Sequence, residues 1–230
     1  MRGCLTGTRG VVNTTAAASA NSGKNATTKG NLYAVDVMYS PAHVTKAIHL
    51  YRHPLDNIVA RFHLEYNEMS AAGDMEFVRH FPKNATGFRR WCRRSDERED
   101  LFTTKYVDAD LKSALRKIPC FNEFFKYVQW HNMAGYVLHD LGVPFLVLHY
   151  HEYSDDFKSA RKKVLKFLGL PIVAAEEYEF HPGKVYRHYY NRIEKVAIRS
   201  FIKEYATPDT WDELRRYDFE IDGSDPKATE

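Results

Sequence analysis

Lys46-Ala-Ile-His-Leu-Tyr-Arg52-His-Pro54-Leu-Asp56-Asn-Ile-Val-Ala60-Arg61-Phe62 reads as a short apolar strand, an arginine, and a helix that begins on a proline. The strand is assigned to residues 45–51 and the helix to 54 through about 69. Proline suits the first turn of a helix, and Asp56 suits its positive end. Ile58, Phe62 and Tyr66 then recur at helical spacing. An arginine at the carboxyl end of a strand, beside a helix N-terminus, is well placed for a phosphate. It offers a planar fork of donors, and the helix offers N–H groups and a positive dipole end. A charged hydrogen bond of this kind contributes about 1.5–3 kcal/mol. The same tripeptide also suits a plain turn with a solvated arginine, so the local pattern leaves both readings open.

Downstream the pattern alternates. Gly73 and Pro82 punctuate the chain, and a helix is expected over 87–94. The charged run Arg93-Arg-Ser-Asp-Glu-Arg-Glu-Asp100 is expected as a solvated helix end or loop. Residues 120–141 predict a long helix closed by Gly142, with Phe121, Phe124, Phe125, Val128, Met133, Val137 and Leu141 on its apolar stripes. Val143-Pro-Phe-Leu-Val-Leu148 is a continuous apolar run, as in a parallel strand covered on both faces. Ser154-Asp-Asp-Phe-Lys opens an amphipathic helix that stops at Leu168-Gly-Leu-Pro171. Helices are expected over 191–206 and, behind the Thr207-Pro-Asp cap, over 211–217. Strands alternating with helices imply an α/β protein with a mostly parallel sheet in three layers. Residues 1–35 read as a flexible or irregular segment, 36–219 as one domain, and 220–230 as a frayed tail.

Length and composition bound the function. A chain of 230 residues, 44% hydrophobic and 14% aromatic, is long enough for one good core. A net charge of +3 is too small for the concentrated basic face of a nucleic-acid binder. No apolar run reaches the roughly 18 residues of a membrane span. The three cysteines, Cys4, Cys92 and Cys120, lack metal-ligand spacing. Cys92 and Cys120 are the natural pair in an oxidising compartment and two buried thiols otherwise. Sequons at Asn13, Asn25 and Asn84 permit a secretory location.

Tyr51-Arg52-His53-Pro54-Leu55-Asp56 resembles the 3′-phosphate-binding segment of sulfotransferases that use 3′-phosphoadenosine 5′-phosphosulfate (PAPS). Those proteins carry an apolar strand, Arg-Asn-Pro or Arg-Asp-Pro, then a helix. The resemblance implies that Arg52 holds the nucleotide's 3′-phosphate. The family serine two turns later is Ala60 here, with Arg61 adjacent. Trp130, the 143–150 run and Phe167-Leu-Gly-Leu-Pro171 also resemble the family, whose strand ends in Tyr-Glu where this chain has Tyr150-His151-Glu152. Trp130 and Phe167 are read as core. Pro182-Gly183-Lys184-Val185-Tyr186-Arg187 resembles the family's second 3′-phosphate loop, with Tyr186 in place of its second glycine. Gly183, Lys184 and Arg187 are therefore cofactor-binding candidates together with Arg52 and Arg61; an ordinary surface loop is the other reading.

The family's N-terminal loop for the 5′-phosphosulfate, Pro-Lys-Ser/Thr-Gly-Thr/Ser, has no counterpart; Cys4-Leu-Thr-Gly-Thr-Arg-Gly lacks its lysine. The resemblance thus implies a P-loop-NTPase-like sulfotransferase fold without its first strand-loop-helix unit. The implied reaction moves a sulfuryl group from PAPS to a hydroxyl or amine of a carbohydrate or other acceptor, with no metal. A general base and positive groups carry such a transfer. No histidine falls in a matching motif; His49 and His53, beside Arg52, are read as structural. The alternative is a truncated or degenerate non-catalytic domain acting as a binding protein. A small kinase needs a phosphate loop too, and RNA binding lacks its aromatic-plus-basic platform. The implied location is the Golgi lumen or secretory pathway, with the cytoplasm as alternative.

Overall fold

The computed structural model describes residues 43–106, 115–116, 118–172 and 184–219. Contacts divide the chain into Met1–Thr45 and Lys46–Glu230, and the elements below belong to the second unit. The expected terminal segments 1–35 and 220–230, Gly183, and the sequons at Asn13 and Asn25 lie outside the described residues.

The protein is α/β, with helices predominating and, among the described residues, a two-stranded parallel sheet. Strand β1 (Ala47–Tyr51) leads into helix α1 (Pro54–Ala71), close to the expected bounds. Helices α2 (Met75–His80), α3 (Ala85–Tyr106) and α4 (Phe121–Asp140) follow. Strand β2 (Phe145–His149) pairs with β1 from Ala47↔Phe145 to Tyr51↔His149. After it come α5 (Tyr150–Asp155), α6 (Phe157–Leu168), a 3-10 turn (Arg187–Tyr189), α7 (Arg192–Tyr205) and α8 (Pro208–Leu214).

The core forms because one stripe of each long helix is apolar. Leu55, Ile58, Val59 and Phe62 of α1 meet Phe88 and Trp91 of α3, Phe124 and Val128 of α4, and Ile198 and Ile202 of α7. Caps set the helix ends where the sequence places them. Asn191 and Glu194 make a reciprocal box at α7, and Thr207 accepts from the Thr210 N–H at α8. Gly142 and Gly169 take positive φ at the ends of α4 and α6. Gly87 has a different role. A Cβ there would stand 2.7 Å from the carbonyl carbon of Pro82 and nearer still to its oxygen, so the α2–α3 turn closes only on glycine.

Several expectations are corrected. The apolar run of β2 is not covered on both faces: Phe145, Leu146 and Val147 are half-buried, while on β1 Ile48 and Leu50 are 40% and 42% exposed. Trp130 is not core; it is 53% exposed, its ring set edge-on to His49 and His131. The charged run 93–100 does not end a helix but lies inside α3. Tertiary partners explain this. Ser95 is buried and donates to Glu123 of α4, and Asp96 accepts from the backbone N–H of Asn122 at 3.2 Å. Cys92 and Cys120 are joined in a disulfide, which ties α3 to the start of α4.

Cys120, in the left-handed region at φ 59°, provides no side-chain cap for α4, and Asp96 takes that place across the interface. Burial pushes the Asp96 carboxyl up to about 7, helped by the Glu123 charge and opposed by the Asn122 N–H. The folded state therefore keeps a proton between about pH 4 and 7 that the unfolded chain releases. Stability from this group is full below about pH 4 and is lost as pH rises through 7. Asp96→Asn keeps the acceptor and removes the ionisation. It is expected to raise stability at pH 8 by about 2 kcal/mol in urea unfolding and to change little at pH 4.

Candidate functional site

The carboxyl ends of parallel strands in an α/β sheet open onto the crevice where ligands bind. Here Arg52 follows β1 and Tyr150 follows β2, and between them lies a cavity of about 440 Å³. Its walls carry four cationic side chains, Arg52, Lys184, Arg187 and Arg216. Asp56, Asp155 and Asp218 also line it.

Each wall is held by contacts that fix it relative to α1. The Arg52 carbonyl accepts from the hydroxyl of buried Tyr127 at 2.6 Å, and its guanidinium lies over the Tyr150 ring at 4.9 Å. Among the described residues that guanidinium has no carboxylate partner. His53 caps α1: its Nδ1 accepts from the Leu55 N–H at 3.2 Å, so its Nε2 carries the proton and donates to the Asp218 carbonyl at 2.8 Å. His53 thus works as a neutral structural group that pins the segment after α8 to the cavity rim.

The 184–190 segment is anchored more firmly. The Tyr186 N–H donates to Asp56 Oδ1 at 2.6 Å, and the Arg187 Nε lies 3.8 Å from Asp56 Oδ2. Tyr186 and Tyr189 reach His63 of α1 through their hydroxyls, at 3.2 and 3.0 Å. Burial pushes His63 down to about 4, with Lys83, Lys184 and His188 acting in the same direction. Tyr190, buried, donates to the Leu55 carbonyl. Asp56 is therefore more than a helix-dipole residue; it carries the loop that presents Arg187 to the cavity.

Of the five cofactor-binding candidates, Arg52, Lys184 and Arg187 meet in this cavity. Arg61 does not. It lies two turns along α1, with its Nε 3.0 Å from Glu123 of α4. Gly183 lies outside the described residues. Arg216 is marked by no local motif in the sequence, and Tyr150 reads there only as the end of the second strand. His49 is buried on β1 and shares a 2.8 Å hydrogen bond with His131, away from the cavity. What the arrangement can do is bind an oxyanion of multiple charge: the half-buried guanidinium forks of Arg52 and Arg187 and the exposed Lys184 ammonium line one cavity next to a helix N-terminus. Compared with protein-family models, curated proteins and solved structures, the chain has no significant match.

Proposed function

We propose that this chain is a sulfotransferase-like protein that binds PAPS and transfers its sulfuryl group to a hydroxyl, or an amine, of a carbohydrate or other acceptor. One observation carries the reading. Three basic residues singled out by resemblance, two of them more than a hundred positions from the third, line one cavity at the carboxyl ends of the strands. In this reading Arg52, Lys184 and Arg187 take the 3′-phosphate, and Asp56 positions the loop. The fold is then a P-loop-like sulfotransferase architecture, of which β1, β2 and their helices form the 3′-phosphate half. The Cys92–Cys120 bond supports a secretory location over a cytoplasmic one.

A second reading, a non-catalytic binding domain, rests on Tyr186. Where the family has a glycine, this residue is committed to holding the loop through His63 and Asp56. Both readings require the anion site; only the first requires turnover.

Calorimetric titration with the desulfated nucleotide tests the shared claim. Arg52→Ala is expected to weaken binding by roughly 10- to 100-fold, the loss of one charged hydrogen bond in a partly enclosed site. Arg61→Ala is expected to bind within about twofold of the unaltered chain, since its partner is Glu123. Equal affinity in the unaltered and Arg52→Ala chains would remove the proposal's foundation. Radiolabelled sulfate transfer to an acceptor panel separates the two readings.

A further inference from the structure

We propose that Asn84 is an N-glycosylation site, modified on its side-chain amide nitrogen by an oligosaccharide from a lipid diphosphate donor. Asn84-Ala85-Thr86 has the acceptor pattern, with no proline at its centre. Pattern alone is weak, and two structural observations strengthen it.

The first is presentation. Residues 83–86 are all exposed, Lys83 and Asn84 on the turn between α2 and α3 and Ala85 and Thr86 in the first turn of α3. The Gly87 N–H donates to Asn84 Oδ1 at 3.0 Å, so Asn84 caps α3 with its oxygen. In a planar amide this directs Nδ2 away from the helix, and among the described residues Nδ2 has no partner. Glycosylation turns the primary amide into a secondary one and leaves Oδ1 an acceptor. The cap therefore survives the modification, and folding after modification meets no conflict.

The second is compartment. Cys92, on the same helix, is bonded to Cys120. Such bonds persist in the oxidising lumen of the secretory pathway, where oligosaccharide transfer also takes place. The site is separate from the Arg52 cavity and does not depend on what that cavity binds.

The transfer balances simply. The bond between sugar C1 and the diphosphate oxygen breaks, and the bond between C1 and Nδ2 forms. Nδ2 gives up one of its two protons, and the lipid diphosphate leaves with the electron pair of the broken bond.

The experiment translates the full chain behind a cleavable leader with endoplasmic-reticulum microsomes, and takes the protease-protected fraction. Deglycosylation in heavy-oxygen water, followed by peptide mass spectrometry, reads position 84 independently of the other two sequons. The expected result is labelled conversion at 84 in the unaltered chain and in Thr86→Ser, and none in Thr86→Ala, which keeps the Asn84 cap. Unmodified Asn84 in the protected, unaltered chain overturns the proposal. So does complete alkylation of both Cys92 and Cys120 before reduction in that material.

Discussion

Gly87→Ala is expected to destabilise the domain by about 3 kcal/mol or more, since of the described glycines it is the one where an added methyl would run into backbone. Nothing flexible stands in the way of the new Cβ that could step aside. The obstruction is the backbone of Pro82, whose nitrogen and carbonyl carbon lie 2.6 and 2.7 Å from it. That backbone is fixed in turn: the Pro82 carbonyl accepts from the Asn84 N–H, and Phe81 is buried just before it. Relief requires opening the α2–α3 turn or shifting α3, which carries Phe88 and Trp91 into the core and Cys92 into the disulfide. Urea unfolding of Gly87→Ala, with Gly135→Ala as control, measures the effect. Position 135 lies in α4 with open space around the added methyl, and there alanine is expected to stabilise by up to about 1 kcal/mol. A midpoint for Gly87→Ala equal to that of the unaltered chain would show that the turn yields freely.

Acid is expected to unfold this protein through a buried cluster of histidines. His131 of α4 stacks on Tyr51 at 4.3 Å and hydrogen-bonds His49, while His149 meets the Tyr217 hydroxyl and Glu213. Burial pushes His131 down to about 3, with His49 and His149 acting in the same direction. Burial also lowers His49 and His149 themselves, against the pull of the Glu213 carboxylate. The unfolded chain takes up these protons near pH 6.5, and the folded chain resists them. Stability is therefore full above about pH 6.5 and falls as pH drops toward 3. His131 alone removes roughly 3 kcal/mol by pH 4.5, at about 1.4 kcal/mol per unit. Asp96 acts in the opposite direction over about pH 4 to 7, so the measurement is cleanest in an Asp96→Asn background. There, His131→Phe keeps a ring against Tyr51 but takes no proton. It is expected to lower stability at pH 7.5, because His49 loses its partner, and to flatten the fall between pH 6.5 and 4.5. Parallel curves with and without His131 would exclude it as the acid-sensitive group.

Local signals were the ones legible in the sequence. The strand-arginine-proline junction at 47–54, the stops at Gly142 and Gly169, and the cap at Thr207 each follow from a few adjacent residues and the conformations they favour. Of the five site candidates, Arg52 was legible from its place at a strand end, whereas Lys184 and Arg187 were marked by the resemblance of 182–187 to a phosphate-binding loop. What stayed hidden depends on neighbours distant in sequence. The acid-and-base composition of 93–100 looks solvated until α4 supplies Asn122 and Glu123 as partners. Arg61 looks like a site residue until Glu123 takes it. Arg216 sits just past the end of a short helix with nothing around it to suggest a cavity; the His53–Asp218 and His149–Tyr217 bonds, made to residues far away in sequence, bring that segment to the rim. Trp130 sits in an aromatic-rich helix whose composition suggests burial all round, yet the two described strands leave that side open.

The pairing of β1 with β2 also governs how the chain assembles. Ala47 finds Phe145 only after about a hundred intervening positions have been made. Loop closure over such a span precedes any reward from the contacts it enables, so this pairing is a slow, late step. On the ribosome β1 emerges well before its companion exists, with Tyr51, buried in the finished fold, unshielded throughout that wait. Nascent chains halted between α3 and β2 should therefore recruit chaperones more strongly than chains halted after α6.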